Sequence, residues 1–171
     1  MSPRENIAIL GLGYVGCVSA ACLARLGHQV VGCDVSRQKV DSINAMEAPF
    51  FEPDLDDLLR ETVGAGRLRA TTDPAEAIAF ADIERVAADI AEAIAERARP
   101  LVVVVRSTVF PGTCEEAMAP AVGRPEIVTV VSHPEFLREG SAIRDFLEPS
   151  LFVVGGPVPA RGRVAALYDG L

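Results

Sequence analysis

This sequence predicts an α/β fold: a doubly wound, mostly parallel sheet with helices on both faces. Three observations predict it. Short apolar runs that read as buried strands alternate with longer stretches of helical periodicity. The first three elements follow one another with tight connections, which makes the two flanking strands parallel. Half of the 171 residues are apolar, but aromatic residues are only 5% and Trp is absent. Packing must therefore rest on Ala, Val, Leu and Ile, as suits a sheet covered by helices.

The elements follow in chain order. Ile7 to Leu10 is an apolar run that ends at Gly11 and reads as a strand. Tyr14 to Leu26 has small and apolar residues at helical spacing, and Gly27 sits where a glycine closes a helix. Gln29 to Cys33 reads as the second strand, ending at Asp34. Ser36 is the expected N-cap of a helix from Arg37 to Met46. Pro49 and Pro53 rule out a regular helix between them. Asp54 to Val63 is amphipathic and helical, with Gly64 and Gly66 at its end. Leu68 to Thr71 is a short strand. Asp73-Pro74-Ala75-Glu76 resembles a capped helix start, continued to Ala81.

The alternation then stumbles. Ala81-Asp82-Ile83 leads into a strand, yet Glu84 to Arg99 already has a strong helical pattern. One strand of the pattern is missing, and the chain reads as interrupted between Ile83 and Glu84. Leu101 to Val105 restores the rhythm with a fully apolar, β-branched run. Pro111-Gly112 marks a turn and Thr113 to Ala119 a helix. Ile127 to Val131 and Leu151 to Val154 read as strands, and Ala160 to Tyr168 as a helix. Residues 1–171 form one domain on this reading.

The formal net charge of −8 excludes non-specific binding to nucleic acid through phosphates. It leaves room for a nucleotide held locally by backbone N–H groups. Cys17, Cys22, Cys33 and Cys114 form no C-x-x-C and no Cys/His pattern at metal spacing, so they read as buried free thiols. No signal peptide and no apolar run of ~20 residues is present, so a cytoplasmic chain without a membrane partner is expected.

Gly11-Leu12-Gly13-Tyr14-Val15-Gly16 is G-x-G-x-x-G between a predicted strand and a predicted helix. Gly11 permits the tight turn, Gly13 lets a pyrophosphate approach the backbone, and Gly16 lets helix and strand pack closely. The helix start supplies free N–H groups and a favourable dipole. Asp34, at the end of the second strand, is placed to accept hydrogen bonds from a ribose and to repel a 2′-phosphate. This pattern is that of a Rossmann-type domain and favours NAD over NADP. Arg37 nearby weighs the other way, and Asp34 could instead merely cap its loop.

With these residues the chain resembles the N-terminal NAD-binding domain of the UDP-glucose/GDP-mannose dehydrogenase family. The resemblance takes in the glycine loop with Asp34-Val35-Ser36 and Lys39. It takes in Phe51-Glu52-Pro53-Asp54-Leu55, similar to the family's E-P-G-L, and Arg106-Ser107-Thr108-Val109-Phe110-Pro111-Gly112-Thr113, similar to S-T-V-x-P-G-T. It ends with Pro134-Glu135-Phe136-Leu137-Arg138-Glu139-Gly140, similar to P-E-F-L-x-E-G, where His133 replaces an asparagine. The missing strand coincides with the family's C-V-G-T-P segment.

The resemblance implies oxidation of a sugar C6 alcohol to the carboxylate with two NAD, through a thiohemiacetal and a thioester on a cysteine elsewhere. It implies that Gly11, Gly13, Tyr14, Val15, Gly16, Asp34, Lys39 and Thr108 bind cofactor. Thr108 would also position a water, Glu135 would act as general base for thioester hydrolysis, and Glu139 would act in catalysis and, with Phe136 and Leu137, bind the nucleotide sugar. It implies a homodimer for the full-length protein, with its central helix, catalytic cysteine and second domain beyond Leu171. The Arg106–Val109 run and the stretch from Gly140 to Pro149 lean towards GDP-mannose over UDP-glucose. Locally, Glu135 could be a helix N-terminal acid, Glu139 a solvated charge paired with Arg138 or Arg144, Thr108 a turn hydroxyl, and Glu52 an exposed loop acid. Two other functions stand beside this one: an NAD-dependent dehydrogenase of the hydroxyacid type, and a non-catalytic NAD-binding regulatory module.

Overall fold

The computed structural model describes residues 4–73, 76, 83–84, 94, 98–107, 109, 111–169 and 171. In chain order the elements are β1 (Asn6–Leu10), α1 (Tyr14–Arg25), β2 (Gln29–Cys33), α2 (Arg37–Asn44), α3 (Leu55–Gly64), β3 (Leu68–Thr71), β4 (Ile83–Glu84) and β5 (Leu101–Val105). A π-helical segment, Thr113–Met118, runs into α4 (Ala119–Val122), followed by β6 (Val128–Ser132), α5 (Ala142–Leu147) and α6 (Val158–Ala166). The strands form one sheet in the order β3-β2-β1-β4-β5-β6, and every neighbouring pair is parallel. This is the expected doubly wound sheet. Its strand order reverses between β1 and β4, where such sheets bind ligands at their carboxyl ends.

The side-chain period of two covers both faces. From β1, Ile7 joins the main core cluster with α1, while Ala8 and Leu10 pack with Val31 and Cys33 of β2. From β5, Val102 and Val104 join the main cluster, and Leu101 and Val103 pack with Val122 and Val128. All five residues of β5 are buried, as its continuous β-branched run demands. Helix α1 is buried without a break from Cys17 to Ala24 and packs on α3 and α5. Gly27, at φ +100°, ends it as a Schellman motif: Gly27 N–H donates to Ala24 O and His28 N–H to Leu23 O.

The edge strand β3 is closed by Asn44, whose side-chain amide donates to Ala70 O at 2.9 Å and accepts Ala70 N–H at 2.8 Å. The side chain thus takes the place of a further strand.

Three expectations are corrected. The strand expected to be missing after Asp82 is short instead: Ile83 pairs with Ile7 and Val102, and Glu84 with Val103. The helices expected over 75–81 and 84–99 fall mostly outside the described residues. Leu151 to Val154 forms no strand. Only Gly155 bridges, antiparallel, to Ser132, because Pro149 before and the Gly155-Gly156-Pro157 turn after leave no length for a ladder. Ser36 makes no side-chain cap; its own N–H is taken by Asp34 Oδ1 at 2.8 Å.

A Cβ at Gly16 would lie 1.9 Å from Gly11 O, a backbone atom with no freedom to move. Gly16→Ala is therefore expected to cost about 2–3 kcal/mol in a urea melt. A loss under about 0.5 kcal/mol would contradict this contact.

Candidate functional site

The site begins with the register of β1 on β2. Leu10 pairs with Cys33, so Gly11 and Asp34 leave the sheet side by side. Gly11, at φ +92°, turns the chain and donates its N–H to Cys33 O at 2.7 Å. Leu12 then folds back into the core and is 1% exposed; Gly32 makes room for it, since a Cβ there would lie 2.5 Å from Leu12 Cδ2. A Cβ at Gly13 would meet no protein atom within 4 Å. Packing inside the chain therefore does not explain this glycine, whereas close approach of a pyrophosphate to the start of α1 does.

Asp34 is buried and fixes the loop. Its Oδ2 accepts Leu12 N–H at 2.8 Å and Lys39 Nζ at 3.3 Å, and its Oδ1 accepts Ser36 N–H. Burial opposes its ionisation, but the Ser36 and Leu12 N–H groups and Lys39 outweigh burial and hold the carboxyl below its ordinary value. Lys39 thus pairs with Asp34. A fixed carboxylate beside a glycine loop with a clear approach to a helix start fits NAD.

The Tyr14 side chain turns away from the glycine loop. Its hydroxyl donates to Glu52 Oε2 and accepts Gly140 N–H at 3.0 Å. Burial and the Glu52 carboxylate push its pKa up to about 12. Glu52 is 5% exposed, which corrects the exposed loop acid of the sequence reading. Its Oε2 also accepts Gly140 N–H at 2.8 Å, and its Oε1 accepts Ala142 N–H at 2.8 Å at the start of α5. One carboxylate therefore ties the loop before α3 to the segment before α5.

That segment carries the other predicted residues. Glu135 is half-buried and is not in a helix; its Oε2 accepts Leu137 N–H at 2.7 Å, so it braces its own loop. Leu137 packs against the main core, while Phe136 is 47% exposed. Glu139 is exposed and pairs with neither Arg138 nor Arg144. Arg138 instead grips Asp145 through two N–H···O bonds of 2.9 and 2.6 Å. Thr108 lies outside the described residues.

Glu135 also lines a cleft of about 170 Å³ with Gly16, Val15, Leu10, Val104 and Arg106. The cleft thus brings the glycine loop and the Pro134–Gly140 segment to one end of the sheet, beside the point where strand order reverses. Behind it runs a hydrogen-bonded chain. Arg106 Nη1 donates to Tyr168 Oη at 2.9 Å, Tyr168 Oη meets His133 Nε2 at 3.0 Å, and His133 Nδ1 meets Val153 O at 2.7 Å. A neutral His133 protonated on Nδ1 donates to Val153 O and accepts the Tyr168 hydroxyl. Burial and the Arg106 charge lower its pKa to about 4. Both histidines are buried and structural; His28 Nε2 meets Leu167 O at 2.7 Å. Sequence reasoning missed Glu52, the Tyr14 hydroxyl and Arg106. Pro53 after Glu52 was the one local signal for the first.

The comparisons with known proteins identify the family and agree with the fold. The sequence model of the UDP-glucose/GDP-mannose dehydrogenase family, NAD binding domain, matches residues 5–89 and 82–171. GDP-mannose 6-dehydrogenase of Pseudomonas putida is 40% identical over 193 positions, covering 97% of this chain and 44% of that protein. UDP-glucose 6-dehydrogenase of Rhizobium meliloti is 40% identical over 170 positions, covering 88% and 39%. The crystal structure of a ternary complex of GDP-mannose dehydrogenase from Pseudomonas aeruginosa superposes with a TM-score of 0.90 at 36% identity, covering 97% of this chain and 44% of that one. The chain thus spans less than half the length of these relatives. The 193 aligned positions exceed its 171 residues by 22, so at least that many positions have no counterpart here. The two family matches overlap at residues 82–89, the stretch that contains β4.

Two outcomes are expected. Glu52→Ala leaves the N–H groups of Gly140 and Ala142 without their acceptor and is expected to cost about 3 kcal/mol; a loss below about 1 kcal/mol would contradict the link. His133 has a folded pKa below its unfolded value of about 6.5. The unfolded chain then binds more protons between about pH 6.5 and 4, so the contribution is whole above that window and lost as pH falls through it, by about 3 kcal/mol. Urea midpoints at pH 7 and pH 4.5 should fall less in His133→Asn than in the wild type, and equal falls would refute the assignment.

Proposed function

Because this chain belongs to the UDP-glucose/GDP-mannose dehydrogenase family, we propose that it is the cofactor-binding part of a nucleotide-sugar 6-dehydrogenase. The reaction is oxidation of the sugar C6 alcohol of GDP-mannose or UDP-glucose to the carboxylate, with two NAD. The observation that carries this reading is the cleft that joins the glycine loop to Glu135. Bound NAD supplies the hydride acceptor.

The chain's own residues supply the rest. Asp34, already charged and oriented by Leu12, Ser36 and Lys39, accepts ribose hydroxyls through its remaining lone pairs. The first N–H groups of α1 have no partner within the helix and take the pyrophosphate. Glu135 takes the proton of a water that Thr108 positions. Phe136, Leu137 and Glu139 hold the sugar nucleotide. The Tyr14–Glu52–Gly140 network keeps that segment in place without touching the reacting atoms. The resemblance to the Pseudomonas enzymes favours GDP-mannose, whose oxidised product would feed polysaccharide biosynthesis. The four cysteines form no disulfide with one another, which favours a reducing, cytoplasmic setting. A non-catalytic NAD-binding module is favoured by one observation, the 22 or more family positions without counterpart beside β4.

Calorimetric titration of the chain tests the cofactor. NAD⁺ is expected to bind about tenfold or more tighter than NADP⁺. Asp34→Ala should narrow that difference, and Gly13→Val should abolish binding while leaving the far-ultraviolet spectrum intact. A folded chain that binds neither nucleotide would overturn the reading. A long protein carrying this domain that binds NAD⁺ but turns over neither sugar nucleotide would favour the regulatory module.

A further inference from the structure

Arg37 stands three residues beyond Asp34, at the first position of α2. It is exposed, and among the described residues its guanidinium makes no hydrogen bond or ion pair. Val35 is 98% exposed, so no part of the described chain covers the end of β2 there, and the Ser36 hydroxyl is not spent on capping α2. The acids at the end of neighbouring β3 are engaged among themselves. Glu76 is held by Arg69 and by the Thr71 hydroxyl at 2.7 Å, and Asp73 Oδ1 accepts Glu76 N–H at 3.4 Å. Arg37 is thus a cation beside the acid that chooses the cofactor, and nothing described inside the chain engages it.

Asp34 itself is a weaker barrier to a 2′-phosphate than its position in the sequence suggests. Of the roughly four acceptor positions of a carboxylate, the protein takes three: Leu12 N–H and Lys39 Nζ on Oδ2, and Ser36 N–H on Oδ1. Lys39 lies 3.3 Å from Oδ2, and an ammonium at that distance offsets much of the field of the carboxylate further out. Lys39 is 39% exposed and spends one of its N–H donors on Asp34. Two cations therefore stand against one carboxylate at the end of β2, in a chain whose net charge is −8.

We infer that Arg37 is a specificity-determining residue of the cofactor site: with Lys39 it accepts the 2′-phosphate of NADP, so that the preference for NAD is partial and Arg37 sets its size. This rests on the proposed NAD site at Asp34. A guanidinium pairs with phosphate through parallel N–H···O bonds, and NAD, with a hydroxyl in that place, offers it no such partner. The pair is exposed, so its effect is modest, about threefold to tenfold in affinity.

The experiment is calorimetric titration of the chain with NAD⁺ and NADP⁺ at about 50 and 200 mM salt. Against a chain of net charge −8, salt screens repulsion and by itself narrows the gap between the two; an ion pair at Arg37 makes the gap widen instead. The wild type is expected to bind NADP⁺ measurably and to lose that affinity faster than NAD⁺ as salt rises. Arg37→Gln should weaken NADP⁺ about threefold to tenfold, leave NAD⁺ within about twofold, and abolish the widening with salt. Arg37→Lys should keep part of the NADP⁺ affinity. Arg161→Gln, the same change of net charge on α6, should alter neither. NADP⁺ affinity unchanged in Arg37→Gln, an equal loss for both nucleotides, or an equal effect of Arg161→Gln overturns the inference. So does a wild type that binds NAD⁺ and no NADP⁺. A folded chain that binds neither nucleotide overturns the cofactor reading instead.

Discussion

The cofactor half of this molecule depends on one hydrogen bond, from Leu12 N–H to Asp34 Oδ2. It joins the turn after β1 to the end of β2, and it exists because the register sets Leu10 opposite Cys33. The bond leaves Leu12 buried, the approach at Gly13 clear and Gly16 pressed against Gly11. Asp34 is thereby both a wall of the site and the clamp that shapes it. A charged group already held by two backbone N–H groups and Lys39 would lose little freedom on accepting the proposed ribose, which is the benefit of preorganisation.

The second half is secured by another carboxylate. Glu52 lies before α3, and its acceptors face Tyr14, Gly140 and Ala142. The segment that carries Glu135 has no strand or helix of its own to set its position. It is held at one end by His133, locked through Tyr168 to α6, and at the other by Glu52. Two buried polar anchors therefore place a loop over the cleft.

The sequence made the glycine loop and Asp34 legible because all their requirements fall within one strand-helix-strand unit. Each strand of the sheet with a continuous apolar run was legible for the same reason. Glu52 was not, since Gly140 and Ala142 lie 88 and 90 residues further on. Ser36 looked like a helix cap, but its side chain makes no cap bond; only its N–H is engaged, by Asp34 two residues earlier. Glu139 had two arginines nearby in sequence, yet Arg138 is claimed by Asp145 seven residues away. Leu151 to Val154 has the composition of a strand and lacks the partner length. Asp54 stands where the family has glycine, and its φ of +66° shows why glycine belongs there. For Glu52, a partner far along the chain decided what local composition left open.

The most direct test of the account is to follow the backbone amides of the isotopically labelled chain by nuclear magnetic resonance as NAD⁺ is added. The account predicts that Leu12, Gly13 and Gly16 shift together with Ser36 beside Asp34, at one common affinity, while Gly140 and Ala142, held by Glu52, stay nearly still. Shifts confined to Gly140 and its neighbours, or none in a folded chain, would contradict it.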